Sequence, residues 1–442
     1  MEKNQIKINK KKYYTKPYPH FDSRIPFNKK VIKYLSNSDN ISSHSFYPFI
    51  HYTKKTRKYS KKNRTSTEKT REIYYASHFD GYVLKYYGEL LNDKYNKYCR
   101  QNGIDEVSIA YRNNKHGKNN VHFASEVIRT ISELGQAFIF VSDFTSYFDN
   151  LDHILLKERL LRVLGENSNE LSRDWWTIYK NITRFSWVEK TDIEEYILKT
   201  KGVNLKKISK DQVDRYFSPD EFREFRKVIG IKKNKTIKGI PQGSPISAVL
   251  ANVYAIDLDY ELNQYALQFG GLYRRYSDDI ILVFPLEELK DYKIEKLIEF
   301  ITSIVEQNKI EMGTGKTNSL FYINNRIYSD SFLKKKGKLD YLGFVFDGEN
   351  VKIREKSLYK YYHRMYKKID SIRRAEAKKG RKVGRKKLYQ LYSHLGRKYK
   401  GYGNFYSYAE KGHTIFNKID NIESQIYKQV KKHWNKIHKR LK

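Results

Sequence analysis

A single cysteine, Cys99, stands in a chain of 442 residues. Neither an internal disulfide framework nor a cysteine-based zinc cluster can be built from it, and a reducing, cytoplasmic home is expected. Long apolar runs are also missing, and the runs present are too short to span a bilayer. Met1 to Tyr14 is rich in lysine and has no apolar centre, so no secretory signal and no membrane segment are expected. Acidic residues are scarce beside basic ones: 50 Asp and Glu against 87 Lys and Arg, a formal charge of +37. An excess of that size is a costly self-repulsion unless an anionic partner offsets it. No internal repeat is visible.

What is present suits such a partner. The chain is 39% hydrophobic and long enough for two or three domains with sizeable cores. It carries 39 Tyr and 23 Phe, and cations interleaved with flat aromatic faces fit a polyanion with stackable bases. The alternative is a lysine-rich solvated surface set by genome composition.

Residues 1 to about 65 are basic, rich in Ser and Asn and weakly periodic, reading as an extended arm with a few short elements. From Glu72 to Tyr98 the pattern turns amphipathic, and Val83, Tyr86, Tyr87, Leu90 and Leu91 follow Asp80 at helical spacing. A second helix is expected over Phe123 to Leu134. Ala137 to Val141 is a continuous apolar run leading to Asp143, the pattern of a buried strand that delivers an acid at its end. Leu272 to Tyr276 and Ile280 to Phe284 read as a hairpin around Ser277-Asp278, and Leu339 to Phe346 as a further strand or hairpin. A charged, mostly helical stretch fills about 160 to 236. The last ninety residues read as basic helix, with Ile415, Ile419, Ile422, Ile426, Val430, Trp434, Ile437 and Leu441 three or four apart. Lys428, Lys431, Lys432, Lys436 and Lys439 oppose that stripe and suit either a phosphate backbone or a plain solvated face.

Phosphoryl transfer from a nucleoside triphosphate asks for divalent metal on the attacking and leaving oxygens. Two such ions lie about 3.5–4 Å apart, so at least two acids must converge despite their repulsion. An acid ending one buried strand and an Asp-Asp pair at a hairpin tip can do this. An isolated Asp-Asp would be only a turn.

Four segments resemble the motifs of reverse transcriptases, especially those of bacterial retrons and group II introns. Phe140-Val141-Ser142-Asp143-Phe144-Thr145-Ser146-Tyr147-Phe148-Asp149 resembles the first catalytic motif. Gly239-Ile240-Pro241-Gln242-Gly243-Ser244-Pro245-Ile246-Ser247 is similar to the Pro-Gln-Gly motif, Tyr276-Ser277-Asp278-Asp279 to the Tyr-x-Asp-Asp box, and Leu339-Asp340-Tyr341-Leu342-Gly343-Phe344 to the primer grip. Their order matches, over roughly 65 to 350.

The resemblance implies two Mg²⁺ ions, with Mn²⁺ able to substitute, held by Asp143, Asp278, Asp279 and the carbonyl of Phe144. It implies that Phe148, five residues after Asp143, blocks a 2′-hydroxyl, with Tyr147 beside it, and that Gln242 and Gly243 lie against the nucleotide. Lys69-Thr70-Arg71-Glu72-Ile73 resembles the family's fingers stretch, which makes Lys69 and Arg71 candidates for the triphosphate. Lys316 falls where relatives protonate the leaving pyrophosphate. Arg112 and Lys118 in a basic turn, with Tyr276, Leu342 and Gly343, are the template and primer candidates.

Departures from the pattern bear on biology. Asp143 and Gln242 lie about a hundred positions apart, so 160–236 reads as an insertion. Ser277 and the Gln-Gly-Ser-Pro-Ile-Ser form are closer to the unclassified, defence-associated and abortive-infection enzymes of bacteria. Neither a zinc endonuclease motif nor an RNase H acid set follows residue 350. An RNA-dependent RNA polymerase would be expected to place an Asp where Phe148 stands, a dead scaffold would have no reason to keep all three acids, and a maturase would carry a longer thumb and DNA-binding tail.

The expected fold is therefore α+β, a right-hand polymerase. It has a basic extension (1–65), fingers (66–135), a palm (136–350) carrying the insertion, and an α-helical basic thumb and C-terminal region (351–442). The expected activity is RNA-directed DNA synthesis from dNTPs, with a role in antiphage defence. An RNA template and a DNA product are the partners implied. Whether the template is a dedicated non-coding RNA, whether synthesis is template-independent or protein-primed, and whether the protein forms a homo-oligomer stay open.

Overall fold

The computed structural model describes residues 8–14, 18–60, 65–166, 169–208, 212–290, 292–313, 315 and 317–442. Its class is α+β, and its centre is a five-stranded antiparallel sheet. The strand order is Arg326–Tyr328, Asn318–Ile323, Ala137–Asp143, Asp279–Pro285 and Leu272–Tyr276. Alternate side chains of the two central strands enter different cores. Phe138, Phe140, Ile280, Leu282 and Phe284 join the larger one, with helices Ser247–Tyr254, Ile256–Gln268 and Ile294–Gln307. Ala137, Ile139, Ile281 and Val283 join a second, under helix Asn120–Leu134. Burial on both faces explains the unbroken apolar runs.

The insertion is not a separate unit. Its strand Ser186–Glu189 pairs in parallel with Phe49–Thr53, which pairs on its other edge with Glu72–Tyr75, and Lys232–Lys233 extends the same sheet. A small core of Phe21, Ile50, Val188, Ile193, Phe217, Phe222 and Phe225 backs it. Sheet edges that expose unpaired N–H and C=O groups favour such closure.

Three expectations change. Where it is described, the N-terminal segment is not an extended arm with a few short elements but part of the main core, in which Tyr13, Val31, Leu35, Ile41 and Phe49 are buried. Glu72–Tyr75 is a strand, because Tyr52 and Thr53 pair with it, and the helix begins at His78 where the Ser77 hydroxyl accepts the Asp80 N–H. The C-terminal apolar stripe spans several elements rather than one helix. Phe405–Phe416 and His433–Leu441 flank the short strand Glu423–Ser424, which joins Asn350–Ile353 in a sheet with Leu339–Tyr341 and Phe344–Phe346.

Candidate active site

The carboxylates meet because two strands end together. Asp143 is the last residue of Ala137–Asp143 and stands in register opposite Asp279, the first of Asp279–Pro285. The Phe144 N–H donates to the Asp278 carbonyl at 2.9 Å, which ties the two ends one residue further on. Asp278 is half-buried and Asp279 exposed. Between Tyr276 and Asp278 the chain reverses through Ser277, whose φ of 63° lies in the left-handed region. The Tyr276 hydroxyl titrates above its ordinary range through burial, then the neighbouring Tyr111 and Asp279, so it remains a donor.

A third strip closes the site. Thr145 N–H donates to the Glu311 carbonyl at 2.8 Å and Gly313 N–H to the Asp143 carbonyl at 2.7 Å. A Cβ at Gly313 would overlap the Asp143 carboxylate, so glycine there keeps the space around it open.

Carboxylate oxygens at two adjoining strand ends are hard donors of the kind that divalent ions such as Mg²⁺ or Mn²⁺ take. Among the described residues no group of three or more His, Cys, Asp or Glu side chains is placed to hold a metal ion.

The nucleotide candidates converge on a second junction. Ile240 N–H donates to the Phe148 carbonyl and Gly239 N–H to the Leu151 carbonyl, both at 2.9 Å, which seats the Pro241-Gln242-Gly243 turn beside the half-buried Phe148. Tyr74 N–H donates to the Gln242 carbonyl at 2.9 Å. Gly243, at φ 115°, leaves only 2.6 Å between a would-be Cβ and the Tyr74 carbonyl. Its close approach is thus to the neighbouring strand. Cavities of 430 and 480 Å³ flank the loop and share Tyr18, Gly81 and Pro245.

Two candidates are displaced from the expected role. Tyr147 is buried in the core with its hydroxyl on the Ala251 carbonyl at 2.7 Å, so it props Phe148 from behind and cannot touch a nucleotide. Arg112 has a fully buried side chain that donates to Asp105, to Asn96 and to the Ser108 carbonyl at 3.0 Å. With its guanidinium occupied inside the fold, it braces the turn and does not reach a template. Lys118 is exposed, 3.9 Å from Glu106. Lys69 and Arg71 are exposed at the base of the hairpin Thr56–Ser60/Thr65–Lys69. Leu342 and Gly343 form a tight turn held by Asn120 Nδ2 on the Leu342 carbonyl at 2.9 Å and Arg354 N–H on that of Gly343 at 2.9 Å. Lys316 lies outside the described residues.

Sequence reasoning missed Gly313, Tyr74 and the buried pair Arg275–Asp259. The available signal for Arg275 was the Arg274-Arg275 pair in the short strand Leu272–Tyr276, where alternation sends one of the two arginines to the buried face.

Comparison with known proteins agrees with the motifs. Residues 192–346 match the family model described as reverse transcriptase (RNA-dependent DNA polymerase). The matched span holds Gln242, Asp278, Asp279 and Leu342 but not Asp143. The chain is similar to the retron Ec86 reverse transcriptase of Escherichia coli, 36% identical over 78 residues, which is 18% of this chain and 23% of that protein. It thus spans under a quarter of that relative. Among solved structures, apo telomerase from Candida tropicalis has a TM-score of 0.45 at 12% identity, covering 89% of this chain and 60% of that one. Telomerase from Candida albicans in complex with the TWJ fragment of telomeric RNA has a TM-score of 0.43 at 13% identity, covering 95% and 66%.

Proposed function

We propose that this chain, whose residues 192–346 carry a reverse transcriptase domain, is an RNA-directed DNA polymerase that adds dNTPs to a primer 3′-hydroxyl. The observation that carries the reading is the pairing of Asp143 with Asp279 across two buried strands, with Asp278 tied to the same end through Phe144. Asp143, Asp278 and Asp279 would hold two divalent ions, with the Phe144 carbonyl as a further ligand. When bound, such ions offset the charge that builds on the attacking and leaving oxygens.

The protein's own contribution is positioning. Phe148 stacks its ring under the sugar and rejects a 2′-hydroxyl. Gln242 lies along the incoming nucleotide, and Lys69 and Arg71 neutralise the triphosphate from the fingers. The 3′-hydroxyl gives up its proton to water as its oxygen bonds the α-phosphorus, the bond to the bridging oxygen breaks, and Lys316 gives a proton to the departing pyrophosphate. Lys118, Tyr276, Leu342 and Gly343 hold template and primer. The cavities beside the Gln242–Pro245 loop suit the unpaired strand, and the formal charge of +37 suits a polyanion.

Extension of a DNA primer on an RNA template by the purified protein tests the reading. Incorporation of dNTPs that requires divalent metal and is lost in Asp278→Asn is the expected result, and no incorporation on any primer–template overturns it. The Ser277 box and the insertion further support a role in antiphage defence. Cells carrying the gene should resist infection and cells carrying Asp278→Ala should not. Equal resistance in both would end that part of the proposal.

A further inference from the structure

We infer that Arg275 is a positioning residue that sets the Asp278 carboxylate by gripping the backbone of the catalytic turn. The inference rests on the polymerase reading above but concerns a residue outside its machinery.

Arg275 and Asp259 are both 0% exposed. The guanidinium donates through Nε to Asp259 Oδ1 at 2.7 Å and through Nη2 to Asp259 Oδ2 at 2.6 Å and Ser108 Oγ at 3.2 Å. Nη1 donates to Asn252 Oδ1 at 3.1 Å and to the Ser277 carbonyl at 3.0 Å. An arginine carries five N–H donors in a planar fork, and here all five are engaged. Asp259 is itself held by the Tyr273 hydroxyl at 3.1 Å, and Asn252 by donation to the Ala110 carbonyl at 2.9 Å. The backbone of Arg275 is pinned as well, its N–H on the Val107 carbonyl and its carbonyl on the Ile109 N–H.

A buried ion pair is a poor source of stability compared with apolar packing, so its presence directly beneath the catalytic turn asks for another reason. The direction of Nη1 supplies it. Ser277 takes a left-handed conformation, φ 63°, that a side chain other than glycine disfavours. Its carbonyl faces the buried guanidinium, and Arg275 Nη1 donates to it there. The next peptide is fixed from the opposite strand, with the Asp278 carbonyl on the Phe144 N–H at 2.9 Å. The peptides before and after Asp278 are therefore both clamped, one by Arg275 and one by the Asp143 strand. The carboxylate between them has only its own side-chain torsions left.

A lysine at 275 keeps the charge opposite Asp259 but cannot reproduce the fork. Arg275→Lys should lower kcat for primer extension about tenfold or more while KM for dNTP and affinity for primer–template stay near wild type. It should also weaken Mn²⁺ binding to the protein alone, read by electron paramagnetic resonance without any turnover. Adding Ser277→Gly, which removes the side-chain penalty at positive φ, should restore part of both losses. A purely structural role would not respond to glycine at 277. Asn252→Ala leaves the ion pair whole and removes one of the two acceptors that aim Nη1, so it must move kcat and Mn²⁺ affinity the same way even where Arg275→Lys fails to fold. Wild-type kcat and Mn²⁺ affinity in Asn252→Ala, or no rescue by glycine in folded Arg275→Lys, overturns the inference. Absence of extension by the wild type would count against the polymerase reading instead, and the Mn²⁺ measurement would still decide this one.

Discussion

Gly313 lies against Asp143 so closely that a Cβ at 313 would overlap the carboxylate, while the Gly313 N–H holds the Asp143 carbonyl at 2.7 Å. The backbone at 313 is not in the left-handed region, so alanine is tolerated conformationally and fails only by contact. Gly313→Ala should therefore fold with a melting temperature close to wild type and lose about tenfold or more in kcat through displacement of Asp143. Steady-state primer extension beside a thermal melt checks it, and wild-type kcat would show that the carboxylate is free to move aside.

Asp143→Asn and Asp278→Asn keep the shape of each side chain and remove its charge. Each should abolish dNTP incorporation in either Mg²⁺ or Mn²⁺, with primer–template affinity nearly unchanged, because neither acid is part of the cationic surface. Filter binding and extension assays on the same preparations separate the two effects.

Phe148 is fixed through its carbonyl, which accepts the Ile240 N–H at 2.9 Å, and by the buried Tyr147 ring 6.0 Å away. Phe148→Ala should leave dNTP use largely intact and raise the efficiency with rNTPs about tenfold or more relative to dNTPs, since the lost ring opens space at the 2′ position. Competing single-nucleotide incorporations give the ratio directly.

The sheet that the insertion completes depends on its aromatic core. Phe225 is fully buried and stacks on Phe217 at 4.7 Å. Phe225→Ala should cost about 3–5 kcal/mol in urea unfolding. Because Ser186–Glu189 borders Phe49–Thr53 and that strand borders the one holding Gln242 through Tyr74, KM for dNTP should rise as well. A stability loss with unchanged KM would separate the insertion from the site.

His20 is buried with its Nε2 on the Tyr75 carbonyl at 3.3 Å, and burial above all, with a contribution from His78, lowers its pKa from 6.5 to about 3. The unfolded chain then binds the extra proton between those values. Stability is present in full above pH 6.5 and falls as the pH drops, by about 2 kcal/mol from this group between pH 6.5 and 5. His20→Gln, which keeps a donor, should flatten that part of the acid-side slope in chemical denaturation curves at several pH values.

The elements that carry the acids were legible in the order of residues because they follow local rules. An apolar run ending in Asp143, a hairpin tip at Asp278-Asp279 and helices over Phe123–Leu134 and beyond Asp80 all express periodicity, and the structure has those elements with ends shifted by a few residues. Family motifs added Phe148, Gln242 and the Leu342-Gly343 turn.

Other assignments depended on what faces each group across the chain. Arg112 and Lys118 read alike in one basic turn, yet Asp105, Ser108 and Asn96 draw the first inside and leave the second in solvent. Residues 160–236 looked like an added unit until Trp187 and Val188 paired with Phe49 and Ile50. Glycine at 313 carries no motif and matters only because a strand 170 positions earlier ends beneath it. The sequence by itself determined the class of fold, the acids and the family resemblance, since these rest on spacing and residue type. Tertiary structure alone decided which cations stay exposed, what completes the sheet around Phe49–Thr53 and what holds the backbone at Asp278, because burial and hydrogen-bond partners are properties of pairs distant in the chain.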